Sequence, residues 1–592
     1  MTDPVSLTFG IAGIVGSVIQ TYNAVMSAYE LYLEVKDVPS EYEDLRMGLL
    51  LEHQRLELWG SHVLAEYYDE QKRHRLSQKH INTWRTMEWI FSRIREAFIE
   101  NNQILDDYGQ QLGLPAQGDS SVFDLIGRLS LSAKSPAKHG FSNYTKRMKF
   151  VLTKQKKMRD LVMQLSYWNN GLDQLTSRLD QDSSRRRLRT FFSTSNTTQL
   201  RHLEAAADLL EHRDIQLMAA ARIVIEQGYL SEQPDCPPEV EIIPPGSDGQ
   251  RTGTAPLSDY RLEMDQLQWQ EKPYATDQIR AMARFGEESV IVDWRCCQDD
   301  SWRRTHPKAF RRRTENLTRI LNSDLKPLSL SILHCVGYLN QSQNVTGYAF
   351  RLPSGAQPGQ KPVTLYDLLK RIERPNQPKN IPDLGERFEL AKALVTTVFN
   401  IHNIGWVHKN IQPKNILFWP KTDAGERDEP DLSKPYLMGF DISRPNQPGE
   451  VSEKPLSHFE DDLYRHPHYK GLYARSFQPS FDIYSVGVIL YEIGMWRNVA
   501  YQGPSKSNNP RRPSLPTHNS DPQLVERMVE HGTIMAMKQY TGARYRDAVK
   551  SCLSRDFDNL WEMEAGDQQR QLQAYLELFQ NMVVDKLAVC NA

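Results

Sequence analysis

At 592 residues the chain is too long for one hydrophobic core and should divide into roughly two to four domains. Its 72 basic and 74 acidic residues leave a formal net charge of −2, so overall charge favours neither nucleic acid nor anionic surfaces, and only local clusters are informative. The six cysteines, at 236, 296, 297, 335, 552 and 590, have neither paired nor metal-ligand spacing; this argues against a disulfide scaffold and predicts a cytoplasmic protein without a metal site.

The N-terminal stretch Val5 to Tyr29 carries no charged residue across 25 positions. Asp3 stands where a signal peptide would have a basic leader, and no small-residue cleavage site follows. As a helix the stretch would be about 37 Å long, against about 30 Å of bilayer hydrocarbon, so it could span a membrane but need not. Gly10, Gly13 and Gly16 recur every third residue behind Phe9, a spacing that lets another backbone approach one face closely. Burial as the first helix of a soluble bundle is the plainer reading. Burial at rest with entry into a membrane is the alternative.

Helical periodicity follows. Leu45, Leu49, Leu56, Trp59 and Val63 form one apolar stripe, Trp84, Met87, Phe91, Ile94 and Phe98 a second, and Leu161, Leu165, Trp168, Leu172, Leu175 and Leu179 a third. No comparable strand-like alternation intervenes before about residue 215, so the first third should be an all-α bundle. Between two helices lies KRMKFVLTKQKKMR, in which Lys146, Arg147, Lys149, Lys154, Lys156, Lys157 and Arg159 stand without an acid, and Arg185 to Arg189 (RRRLR) add further cations. Such runs are usually solvated faces; the functional alternative is attraction to anionic lipid head groups. Nucleic acid is not expected, because no strand or zinc-finger motif of a nucleic-acid module accompanies them.

The opening TFGIAGIVGSVIQTYNAV, the RLELWG at Arg55 to Gly60, and KRMKFVLTKQKKMRDLVMQL resemble the fungal HeLo, or prion-inhibition and propagation, domain over roughly residues 3 to 220. The resemblance implies a helical bundle whose glycine-bearing first helix is released into membranes in fungal cell death and heterokaryon incompatibility. Phe150 stands where the family pattern leads one to expect a tryptophan.

Domain boundaries follow at 1–220 for the bundle, 228–259 for a linker rich in proline, glycine and acid, and 260–590 for a second domain. The last of these resembles a protein kinase, with motifs in the family's order. ESVIVDWR reads as a strand that puts Arg295 at the lysine position, and RRRTENLTRILN as a helix in which Glu315 fits the αC glutamate. SILHCVGYLN and TGYAFRLP are two further strands, and Leu390, Leu394, Val398 and Ile401 a long helix. GWVHKNIQPKNILF occupies the catalytic loop, PYLMGFDISRP the metal-binding segment, SFDIYSVGVILYEIG the helix with a structural aspartate, Asp482, and RYRDAVKSCL the closing helix. The resemblance implies an α+β two-lobed fold.

Phosphoryl transfer needs parts that this sequence has exchanged. Asn410 replaces the catalytic aspartate, and an amide cannot accept a substrate proton at neutral pH. Gly439 replaces the magnesium-gripping aspartate and offers no oxygen, while Asp441 lies two residues on. Only Gly286 occurs between Tyr260 and Val290, so there is no glycine-rich phosphate loop, and Arg295 is no equivalent of lysine at a tight phosphate site. His408, Asn415 and Asp482 remain, two of them for shape; Arg295 and Asn415 are the residues through which ATP could still engage. His468 stands where an ion-pairing glutamate is usual.

The expected domain is thus catalytically inactive, with no cofactor required. The order of parts is similar to that of the kinase-like executioners of animal necroptosis, an analogy of architecture alone. It implies a membrane-permeabilising effector of fungal cell death. The second domain would be its sensor or clamp, the partners anionic lipids, further copies of the chain and an upstream activator, with movement from cytoplasm to membrane. An active kinase with substituted metal ligands and a non-catalytic scaffold are the alternatives.

Overall fold

A computed structural model describes residues 4–33, 42–64, 81–111, 155–230, 260–271, 279–296, 307–322, 330–342, 345–373, 381–421, 429–446, 459–470, 474–504, 516–518, 523–554, 556–562 and 568–591. The chain divides into two compact units, Met1–Ala220 and Ala221–Ala592.

The first unit is helical throughout its described residues: α1 (Pro4–Leu33), α2 (Glu43–Val63), α3 (Ile81–Gln111), α4 (Gln155–Asp173), α5 (Arg178–Phe192), α6 (Thr197–Leu209) and α7 (Arg213–Leu230), the last running into the second unit. The stripes on α2 and α3 are its core faces, with Leu49, Leu56, Trp84, Phe91 and Phe98 almost wholly buried. Val15, Val18, Val25, Tyr29 and Tyr32 of α1 join them, and the Tyr29 ring meets Phe98 edge-on at 5.1 Å. Gly60 closes the RLELWG motif for a steric reason, since a β-carbon there would overlap the Tyr22 ring. Gly16 is exposed, and among the described residues nothing lies within 4 Å of where its β-carbon would be. The side chains of Phe9, Gly10 and Gly13 lie outside the described residues. Among those described, no helix is long and apolar enough to cross a membrane.

Two further expectations shift. The stripe from Leu161 does not continue to Leu179, because α4 ends at Asp173 and Ser177 caps a new helix by accepting from the Asp180 amide at 3.2 Å. Leu175 falls in the turn, and Leu179 is 45% exposed. The Arg185–Arg189 run is not a solvated face either, since Arg186 and Arg189 are buried. Helix α7 runs on to Leu230, through the first three residues of the expected linker; 231–259 lie outside the described residues.

The second unit carries a six-stranded mixed sheet and a mainly helical part. β1 (Arg261–Leu262), β2 (Leu267–Trp269), β3 (Arg280–Phe285), β4 (Glu288–Cys296), β5 (Cys335–Ser342) and β6 (Val345–Arg351) are arranged β1-β5-β6-β4-β3-β2, antiparallel except for the β1–β5 edge. Helix α8 (Pro307–Asn322) connects β4 to β5. The remainder is built on α9 (Leu365–Glu373), α10 (Leu384–Asn403), α11 (Pro479–Met495) and α12 (Lys538–Leu553). Helix α11 is buried along nearly its whole length, which accounts for an apolar sequence without amphipathic alternation.

The first unit also buries a charge. Glu52 of α2 is fully enclosed; its Oε2 accepts from Arg55 Nη1 at 2.9 Å and Asn169 Nδ2 at 2.8 Å, and its Oε1 lies 2.9 Å from His212 Nε2. Burial alone would raise this carboxyl, but Arg55, His212 and Asn169 outweigh it and bring the pKa down from 4.5 to about 2. Stability from this group is therefore complete above about pH 4.5 and is lost as pH falls through about 2. Arg55 keeps Asp173 at 2.7 Å, so Glu52→Ala should cost about 1–3 kcal/mol by removing the buried acceptor shared by Arg55, Asn169 and His212, read as an earlier urea midpoint of the helical unit. The same variant should flatten the acid limb of the stability–pH curve.

Candidate functional site

The segment His408 to Asn415 is held from below. Asp482, on α11 and with no solvent exposure, accepts from the His408 amide at 2.8 Å, from the Lys409 amide at 2.9 Å and from His402 Nε2 at 3.1 Å. The Tyr575 hydroxyl lies 2.8 Å from His402 Nδ1, so the chain Tyr575–His402–Asp482 ends on the loop backbone. Lys409 takes a left-handed φ of 69°, rare for a residue with a side chain, and its ammonium lies 5.8 Å from the Phe477 ring centre. His408 is fully buried against Phe440 at 4.5 Å between ring centres. Burial pushes its pKa from 6.5 down to about 4, against the pull of Asp482 and the Met438 carbonyl.

Both ends of the Asn410 amide are engaged. Its Nδ2 donates to Asp441 Oδ1 at 3.1 Å, and its Oδ1 accepts from Gln412 Nε2 at 2.8 Å. Asn415 donates through Nδ2 to the Asn410 carbonyl at 2.9 Å, and its Oδ1 accepts from Arg280 Nη2 at 2.7 Å. Gly439 has φ 85° and lies so close to the Asn415 amide that a β-carbon would collide with it. Glycine is required here by conformation and by space.

The cleft side chains that sequence reasoning missed are Arg280 and Asp293. They stand directly opposite each other across β3 and β4, with Arg280 Nε 3.0 Å from Asp293 Oδ1. Arg280 also donates through Nη1 to the Lys414 carbonyl at 2.9 Å, and Asp293 Oδ2 accepts from the Gly439 amide at 2.9 Å. The pair therefore fastens the sheet to both loops, with neither side chain more than 12% exposed.

The residue of β4 brought to Gly439 is thus an aspartate. Arg295, two positions on, pairs in register with Thr346, and its side chain lies outside the described residues. Glu315 does not join the cleft pair: it binds Arg311 Nε at 2.8 Å and accepts from the Tyr338 hydroxyl at 3.4 Å.

His468 stands beside a paired histidine. Its neighbour His466 lies 3.0 Å from Asp558 through Nε2 and stacks on Phe481 at 4.4 Å. The three side chains form a group whose ligand-type atoms fall within 4.8 Å, against the expectation of no metal-like cluster. The His468 amide donates to His466 Nδ1 at 3.2 Å, however, which leaves the ring proton on Nε2, facing Asp558. The group is accordingly a hydrogen-bonded pair, not a ligand set.

Of the basic run, Lys156, Lys157 and Arg159 are exposed on the first turns of α4; Lys146, Arg147, Lys149 and Lys154 lie outside the described residues.

Gly439→Asp should destabilise the second unit by at least about 1–2 kcal/mol from the backbone conformation alone, with loss of the Arg280–Asn415 bond added, and should create no magnesium-dependent thermal shift with ATP. For His408 the sign is that of a group kept neutral by the fold. Its stabilisation is complete above about pH 6.5 and is lost as pH falls through about 4. Chemical unfolding at pH 7 and pH 5 should show that loss, and His408→Gln should reduce it.

Comparison with protein families assigns both ends of the chain. Residues 10–203 match HeLo, described as prion-inhibition and propagation, and residues 291–588 match DUF7580, described as a domain of unknown function. The second match spans half of the chain, so the protein belongs to the DUF7580 family and carries a HeLo domain ahead of that region.

Proposed function

We propose that the protein is a regulated membrane-permeabilising effector of fungal cell death or incompatibility, whose second unit is a kinase-like sensor without phosphotransfer chemistry. The observation that carries the second half is the Arg280–Asp293 pair. Protein side chains already occupy the polar positions around Asn415 and Gly439 at which a kinase would engage magnesium and phosphate. The antiparallel order β2-β3-β4-β6-β5, the helix between β4 and β5, and a loop pinned to a buried aspartate support a kinase-like reading of the fold. Asn410, with both ends of its amide engaged, has no capacity to act as general base.

The HeLo match supports the first half, together with the uncharged run from Val5 to Tyr29. Release of α1 would expose Val15, Val18, Val25, Ala28, Tyr29 and Tyr32, forfeiting on the order of 10 kcal/mol of burial. Only an environment that buries those side chains again, such as a bilayer, could repay that, and an activator shifts the balance by no more than its differential affinity for the two states.

Deleting residues 1–22 from the full chain should abolish dye release from liposomes and toxicity in cells; undiminished release would refute the effector reading. ATP with magnesium should leave the melting temperature unchanged. A clear magnesium-dependent rise would favour the active-kinase alternative.

A further inference from the structure

Helices α3 and α4 present an aromatic cluster to solvent. Trp89 is 50% exposed, Tyr167 67% and Met163 49%. The Trp168 ring joins Trp89 at 5.1 Å and Tyr167 at 4.8 Å, both edge-on, so the three rings are contiguous rather than scattered single residues. Among the described aromatics of the bundle, Trp84, Phe91, Phe98, Tyr29 and Tyr32 are enclosed, and Phe191, 37% exposed, is the other ring open to solvent.

Charge surrounds this cluster with one sign in excess. Lys156, Arg159, Met163 and Tyr167 are spaced to fall on one stripe of α4, cations at its start and apolar side chains above. On α3, Arg85 and Arg93 lie one turn either side of Trp89, and the Arg93 guanidinium sits 5.5 Å from the Trp89 ring. The exposed acids nearby are Glu96, paired with Arg93 at 2.6 Å, and Asp160.

We propose that this face docks the folded bundle on the interfacial layer of an anionic bilayer. Tryptophan and tyrosine favour the head-group level because their rings are apolar with one polar edge, and flanking lysine and arginine are drawn to acidic lipid. The excess of cations argues for this occupant over a second copy of the chain, whose identical cations would be brought face to face. The proposal rests on the membrane reading above but concerns a different step: arrival of the folded protein, before and independent of entry by α1.

The test uses the full chain and sedimentation with vesicles of phosphatidylcholine, with and without phosphatidylserine. Wild type should sediment with the phosphatidylserine vesicles. Trp89→Ser with Tyr167→Ser should weaken that binding about tenfold or more, and Lys156→Glu with Arg159→Glu should abolish the preference for phosphatidylserine. The second pair is exposed, so its effect depends little on packing. The chain lacking residues 1–22 should still bind these vesicles while releasing no dye. Vesicle binding unchanged in both double variants overturns the docking face even where the truncation stops leakage. A change confined to sedimentation-velocity mass, with vesicle binding intact, overturns it in favour of self-association.

Discussion

The second unit is organised around a carboxylate that has no access to water. A buried charge is tolerable only when its lone pairs are met, and Asp482 meets them with two successive backbone amides, His408 and Lys409, and with His402, itself backed by Tyr575. Two amides converging on one carboxyl group leave the loop little freedom. The left-handed turn at Lys409 follows, and beyond it the placement of Asn410 and Asn415. Everything the cleft does chemically, or fails to do, is expressed on that framework. The helical unit uses the same device at Glu52, where one enclosed carboxylate ties α2 to Asn169 of α4 and to His212 at the start of α7.

The charges around Asn415 and Gly439 are mutually satisfied. The second unit has one cation and one anion facing each other across a hairpin, each with a further bond to a loop. The amide of Asn410 and the amide of Asn415 then complete a network in which donors meet acceptors inside the protein. A site of this kind binds its own chain. The His466–Asp558 contact has the same character, a local pair of donor and acceptor beside His468.

Much of this architecture was legible in the residues. Long amphipathic stripes named α2, α3 and the first part of α4, and motif resemblance placed Asp482 on the helix α11. The errors were local. A serine cap ended α4 where the three-and-four spacing of leucines ran on by coincidence through Leu175 to Leu179. Asp293 went unread because motif matching drew attention to the positive charge of Arg295, two positions on and on the same side of the strand by parity. One signal could have decided it. The two-residue turn at Gly286–Glu287 pairs Phe285 with Glu288, and counting back along the ladder sets Arg280 opposite Asp293. Arg280 itself belongs to no motif, and its reach to Asn415 depends on how loops distant in sequence meet, which periodicity does not encode.

The backbone at Gly439 has a consequence for which substitutions the chain can accept. A carboxylate placed there would have to displace the Asn415 amide, which Arg280 and the Asn410 carbonyl already hold, and would have to adopt a backbone shape that aspartate disfavours. At least one neighbour must change with it, and the intermediate would fold less well than either end point. Position 439 is therefore tied to positions 280, 410 and 415, and these four should vary together or not at all.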